Sequence, residues 1–250
     1  MTMPVEKTRN SDCSKCIQFL TSVLNAPRPR QLLAAMGANA YTNIDHSEIN
    51  IEMNKNSLRT STNESSAQLR DGDVTPLVQR TLATSFHGVS INTNKTSNSP
   101  NKSSHAVNNI KIQCKQCSSE GVEGGARAFV RGPDPVSIVL CANRLGSKDE
   151  VEEVLVHELV HVYDVRVRNM DLRDCKQLAY SEVRAAREAE CHSSSRFTKS
   201  ICTKQRATVA TRNMFPDEGK DCVCDVFQSA MKDVSPFRLP GQKRPINSER

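Results

Sequence analysis

His157-Glu158-Leu159-Val160-His161 sets two imidazoles four residues apart with a carboxylate beside the first. On a helix, positions four apart share a face, so both rings can reach one metal ion. Glu158 is rotated by about 100° from His157 and can meet a water on that metal instead of the metal itself. Two neutral imidazoles plus one carboxylate suit Zn2+, which then keeps a fourth position for water. The five residues alone recur in unrelated chains, and their surroundings add the specificity. Ser147 with Glu150 makes a capping box, and Val151, Val154, Leu155, Leu159 and Val162 recur at helical spacing. A buried apolar helix that carries two histidines and a glutamate must compensate their lost hydration. Core histidines hydrogen-bonded to neighbours are the plainer alternative.

Such a site needs a third protein ligand. Glu182 follows His161 by 21 residues on a helix read over Leu178–Ala189, long enough for the chain to turn and run back beside the first helix. Asp164, one turn past His161, could ligate or could hold a histidine ring from behind. His192 is a third candidate, next to Cys191 where the helix frays. Ligand geometry favours Glu182 as the metal ligand and Asp164 as the outer partner. Glu158 would then serve as catalytic general base and afterwards general acid. Tyr163 and Arg184 stand near these residues in sequence and are read as ordinary packing and surface pairing.

Around this motif the chain divides in three: an N-terminal CxxC helical segment over 1–37, a disordered Asn/Ser/Thr-rich insertion over 38–108, and a peptidase domain over 109–250. Cys16 to about Gly37 reads as one helix with a breaker. The tract NTNKTSNSPNKSSH cannot build a core, and His46, His87 and His105 read as exposed loop residues. IKIQCKQC and VSIVLCAN read as strands, the latter as an edge strand able to pair with an extended peptide. Further helical pieces are expected at Arg206–Arg212 and Cys222–Met231. The layout predicts an α+β, zincin-like fold: a small sheet, an active-site helix and a following glutamate helix.

Composition narrows the setting. The 250 residues are 37% apolar and 4% aromatic with no Trp, a thin core for the length. A net charge of +6 fits a solvated surface or an anionic lipid surface. Nucleic-acid binding is disfavoured because there is no dense basic face with interleaved aromatics. No apolar run is long enough to span a bilayer, and the start carries no secretory h-region. Ten cysteines nonetheless suggest disulfides. The mitochondrial intermembrane space reconciles an oxidised protein with the missing secretory signal. A zinc ribbon from Cys13-x-x-Cys16 and Cys114-x-x-Cys117 is the alternative, with halves unusually far apart.

The ordered set of motifs is specific. Cys13–Cys16, Ile112–Cys117, Gly124-Gly125, Leu140–Asn143, His157–Asp164, Ser181–Ala185, Cys191, Cys222–Phe227 and Ser235–Phe237 together resemble the mitochondrial inner-membrane metalloprotease family of ATP synthase assembly. The resemblance covers 11–36 and 110–240. It implies a protein held peripherally on the intermembrane-space side of the inner membrane. Its partner would be the ATP synthase subunit 6 precursor, whose N-terminal extension it would remove and whose assembly it would assist as a chaperone. By motif, His157, His161 and Glu182 would be zinc ligands and Glu158 the catalytic acid/base. One departure stands out: Tyr180 replaces a usual cysteine and Cys175 occurs instead, which points to a rewired disulfide.

Overall fold

The computed structural model describes residues 5–44, 48–53, 110–120, 123–132 and 136–237. Two helices open the chain, α1 (Val5–Val23) and α2 (Pro27–Ala35). Pro27 sits at the first helical position, where its missing N–H costs nothing. Gly37 takes a φ of 80°, a left-handed stop that a side chain would strain. Then come strands β1 (Ala38–Ile44), β2 (Glu48–Met53), β3 (Ile110–Lys115), β4 (Ala128–Arg131) and β5 (Val136–Cys141), and helices α3 (Lys148–Arg166), α4 (Cys175–Glu188), α5 (Arg196–Met214) and α6 (Gly219–Lys232).

The strands form one mixed sheet in the order β1-β2-β3-β5-β4. β3 and β5 are parallel and every other pairing is antiparallel. Two expectations change here. VSIVLCAN is not at an edge: β5 lies between β3 and β4, as its nearly unbroken apolar run requires. Among the described residues the edge strands are β1 and β4, and β4 is the one beside β5. The insertion assigned to 38–108 also begins too early, because Ala38–Ile44 and Glu48–Met53 pair antiparallel on the sheet. A polar average over the region hides the alternation Glu48-Ile49-Asn50-Ile51, in which both isoleucines are fully buried. Glu48 holds Lys111 across the β2–β3 pair at 2.6 Å. Residues 54–109, with His87 and His105, and also His46, lie outside the described residues.

The main core lies between one sheet face, supplied by Ile112, Ile138 and Leu140, and helices α1, α2 and α3. A small cluster of Phe129, Val139 and Cys141 covers the opposite face, as strand alternation demands. A third cluster binds α4, α5 and α6 through Ala179, Val183, Ala207, Val223 and Phe227. Helix α3 is the hub. The Glu150 backbone N–H donates to Ser147 Oγ at 3.2 Å and the Ser147 N–H donates back to Glu150 Oε2 at 3.3 Å, the expected capping box.

Four disulfides reinforce this core. Cys16–Cys114 ties α1 to β3, and Cys117–Cys141 staples β3 to β5. Cys175–Cys222 joins α4 to α6, and Cys191–Cys202 joins the end of α4 to α5. The two CxxC pairs therefore make no zinc ribbon; one cysteine from each is spent on a bridge between them. Cys175 acts from the first turn of α4, so its displacement from the position now held by Tyr180 still leaves it opposite α6. Because Cys16–Cys114 closes a loop spanning 98 positions, the double variant Cys16→Ser/Cys114→Ser should lose about 2–5 kcal/mol of stability. Denaturant unfolding of oxidised protein checks this.

Candidate metal centre

Helix α3 runs across the core, so the face carrying the motif is buried wherever it points. His157 is 8% exposed, Glu158 3%, and His161 and Asp164 not at all. After α3 the chain turns through Asn169, which takes a left-handed φ of 54°. Asp174 then caps α4, accepting the Gln177 N–H at 2.9 Å, and α4 returns against α3. That return delivers Glu182, 1% exposed, to the two histidines. Glu182 Oε2 lies 3.4 Å from His157 Nε2, and Oε1 lies 3.5 Å from His161 Nε2. One ligand atom from each of the three falls within 4.8 Å of the others.

The hydrogen bonds behind the rings fix which nitrogen faces forward. Ser181 Oγ donates to Asp164 Oδ2 at 2.8 Å, so the serine oxygen is left to accept from His161 Nδ1, also at 2.8 Å. At His157, Nδ1 donates to the Glu190 carboxylate, 3.1–3.2 Å away, which can only accept. Both rings therefore turn Nε2 toward the Glu182 carboxylate. Two imidazole nitrogens and a carboxylate meeting at one buried point need a proton or a metal cation between them. The donor set thus fits a divalent cation of the nitrogen-and-oxygen-binding kind.

Electrostatics report the same demand. Burial pushes Glu158 up to about 8; His157 opposes that rise, and Glu182 and Glu190 add to it. Burial draws His161 down to about 4, despite Glu182 beside it. Burial would lower His157 too, but the Glu190 and Glu182 carboxylates more than reverse this and hold it well above the usual imidazole range. Glu190, which burial alone would raise, is brought down to about 2 chiefly by His157. Glu158 Oε2 is buried and has no hydrogen-bond partner among the described residues, which leaves a carboxylate oxygen beside the site for chemistry.

A cleft opens at this point. His157, Glu158 and Glu190 form its floor, Ala126–Ala128 at the start of edge strand β4 one wall, and Arg206, Val209, Ala210 and Asn213 of α5 the other. Its interior volume is about 160 Å³.

The remaining sequence candidates sort cleanly. Asp164 does not reach the His157–His161–Glu182 group; it stands behind His161, through Ser181. His192 lies past α4, outside that group. Arg184 is not on the surface: it is 1% exposed and its guanidinium pairs with Asp164 and donates to the Ser235 carbonyl. Tyr163 reaches Ser235 Oγ at 3.1 Å. Two contributors escaped the sequence reading. Ser181 was legible only as part of a motif. Glu190 sits beyond the end of α4, 33 positions from the histidine it meets, with no spacing to betray it. The adjacent Cys191–Cys202 bridge fixes it there.

A helix-borne His-Glu-x-x-His motif with a glutamate delivered from the next helix, its His157 and Glu158 lining a cleft, is the donor set that zinc peptidases use. The comparisons agree. The Peptidase M76 family model matches residues 89–238, and the chain belongs to that family. Among relatives, the mitochondrial inner membrane protease ATP23 of Scheffersomyces stipitis is 34% identical over 154 residues, 56% of this chain and 61% of the relative. The ATP23 homolog of Homo sapiens is 32% identical over 154 residues, 55% and 60% respectively. The Schizosaccharomyces pombe protein of the same description is 28% identical over 145 residues, 50% and 72%. The chain thus spans about 60% of the length of the first two relatives. No solved structure matches.

Ligand and outer partner separate by measurement. Glu182→Ala should strip most bound metal after dialysis. Asp164→Asn and Ser181→Ala, acting through His161, should weaken affinity by only about 10–100-fold. Metal analysis of folded protein ranks them, and a greater loss in Asp164→Asn than in Glu182→Ala would make Asp164 the ligand.

Proposed function

We propose that this chain is a zinc metalloendopeptidase on the intermembrane-space side of the mitochondrial inner membrane. In this reading it removes the N-terminal extension of the ATP synthase subunit 6 precursor and assists assembly of that enzyme. The observation that carries the chemistry is the buried convergence of His157 Nε2, His161 Nε2 and the Glu182 carboxylate beside Glu158, with His157 and Glu158 lining an open cleft. The location and substrate follow from the order of sequence motifs and gain support from the names of the relatives. Among the described residues no helix is long and apolar enough to cross a membrane, which is compatible with peripheral attachment.

His157, His161 and Glu182 would hold the ion. Zinc, when bound, supplies a Lewis acid that polarises a carbonyl and acidifies water. The chain does the rest. Glu190 and the Asp164–Ser181 pair keep both imidazoles in the tautomer that presents Nε2, and orient them against rotation. Glu158, whose Oε2 has no competing partner, takes the proton from the attacking water. It then gives that proton to the departing amine nitrogen, so one carboxylate is base and then acid. Its burial favours the protonated form it must pass through between the two transfers. The edge of β4 beside the cleft leaves backbone groups free on one side among the described residues, a place for an extended peptide to lie.

Glu158→Gln should leave metal content unchanged and lower cleavage of a subunit 6 precursor peptide by about 10²–10⁴-fold. Assays of oxidised, zinc-loaded protein check this. Equal activity in wild type and variant would remove Glu158 from the mechanism.

A further inference from the structure

Helix α5 carries an exposed feature that the catalytic site does not use. Phe197 is 89% exposed and Ile201 70%, whereas the other large apolar groups among the described residues are buried far more fully. The two lie four residues apart, on one face. Lys204, Thr208 and Arg212 continue the same stripe within about 80° of arc. The helix also bears Arg196, Lys199 and Arg206, and from 196 to 214 it has no Asp or Glu. The acidic residues that flank it in sequence, Glu190 before it and Asp217 after it, lie outside the helix. The Cys191–Cys202 bridge ties the second turn of α5 to the end of α4, so the Phe197–Ile201 pair is presented on a rigid mount.

We infer that the Phe197–Ile201 end of α5 is a docking surface for an anionic lipid bilayer. Two bulky apolar side chains can enter the headgroup boundary while the flanking Lys and Arg side chains meet the lipid phosphates. Lys204 and Arg212 on the stripe, with no acidic residue on the helix, match a negative surface and would not favour a second copy of the same stripe, where like charges would face each other. The placement also has a consequence for the cleft. Arg206, Val209, Ala210 and Asn213 of the same helix form one of its walls. By helix geometry these wall residues lie on the face of α5 opposite the stripe, so docking through the stripe sets the cleft one helix diameter, roughly 10–12 Å, from the bilayer, within reach of a segment emerging from a membrane-embedded substrate.

This inference extends the reading of a membrane-peripheral protease, and its test needs no peptidase activity, so the two can fail separately. The full chain, oxidised, is floated with phosphatidylcholine vesicles with and without phosphatidylglycerol. Wild type should float with the anionic vesicles only, and less as salt rises. Phe197→Ser/Ile201→Ser should lower its partition at least about tenfold, and Lys204→Gln/Arg212→Gln should lower it more at low salt than at high salt. All four positions are exposed, and unchanged thermal unfolding verifies that the variants fold. Wild type that ignores lipid charge, or a Phe197→Ser/Ile201→Ser protein that floats like wild type, would overturn the proposal. So would concentration-dependent dimerisation abolished by that variant without vesicle binding, which would assign the stripe to a second copy.

Discussion

Charge burial at one point organises this protein. Two imidazoles and the carboxylates of Glu158 and Glu182 are packed into the core face of α3 and α4, where each uncompensated charge costs several kcal/mol. A fold tolerates such a group only if something neutralises it, and the geometry sets what that must be. The hydrogen bonds that the two Nδ1 atoms donate to Glu190 and Ser181 turn both Nε2 atoms forward onto the Glu182 carboxylate. A cation held there satisfies all three, and leaves Glu158 as the one nearby carboxylate without a binding task.

The support for this group extends well behind it. Asp164 is fully buried and answers to Ser181 and Arg184 at once. Arg184 in turn reaches the Ser235 carbonyl, and Arg187 donates to the carbonyls of Ala230, Met231 and Asp233. The chain just after α6 is thus strapped to α4 by two buried arginines. Asp233 adds Arg168 at 2.8 Å and Tyr180 at 2.9 Å. The orientation of His161 therefore depends on residues some seventy positions away. With few aromatics, the molecule relies on this polar scaffold and on disulfides where a larger core would otherwise serve.

Much of this was legible in the sequence, for reasons that differ by element. Helix α3 announced itself through a capping box and a 3.6-residue apolar period, and the motif on it has one geometry. Glu182 was legible because a short turn plus a returning helix leaves few places for a carboxylate to land. The β1–β2 pair was hidden because its alternation is brief and sits in a polar tract. β5 was read as an edge strand, although its unbroken apolar run is that of a strand covered on both faces. Arg184 and Glu190 were illegible for a deeper reason. Their roles come from tertiary packing, which brings a guanidinium onto Asp164 and a post-helical carboxylate onto His157, and no local period records either event.

The central claim is that His157, His161 and Glu182 hold one metal ion in the folded, oxidised protein. X-ray absorption at the zinc edge tests it directly. The account predicts a first shell of nitrogen and oxygen at about 2.0–2.2 Å with imidazole scattering from two rings and no sulfur. Sulfur scatterers at about 2.3 Å would place the ion on cysteines and contradict it.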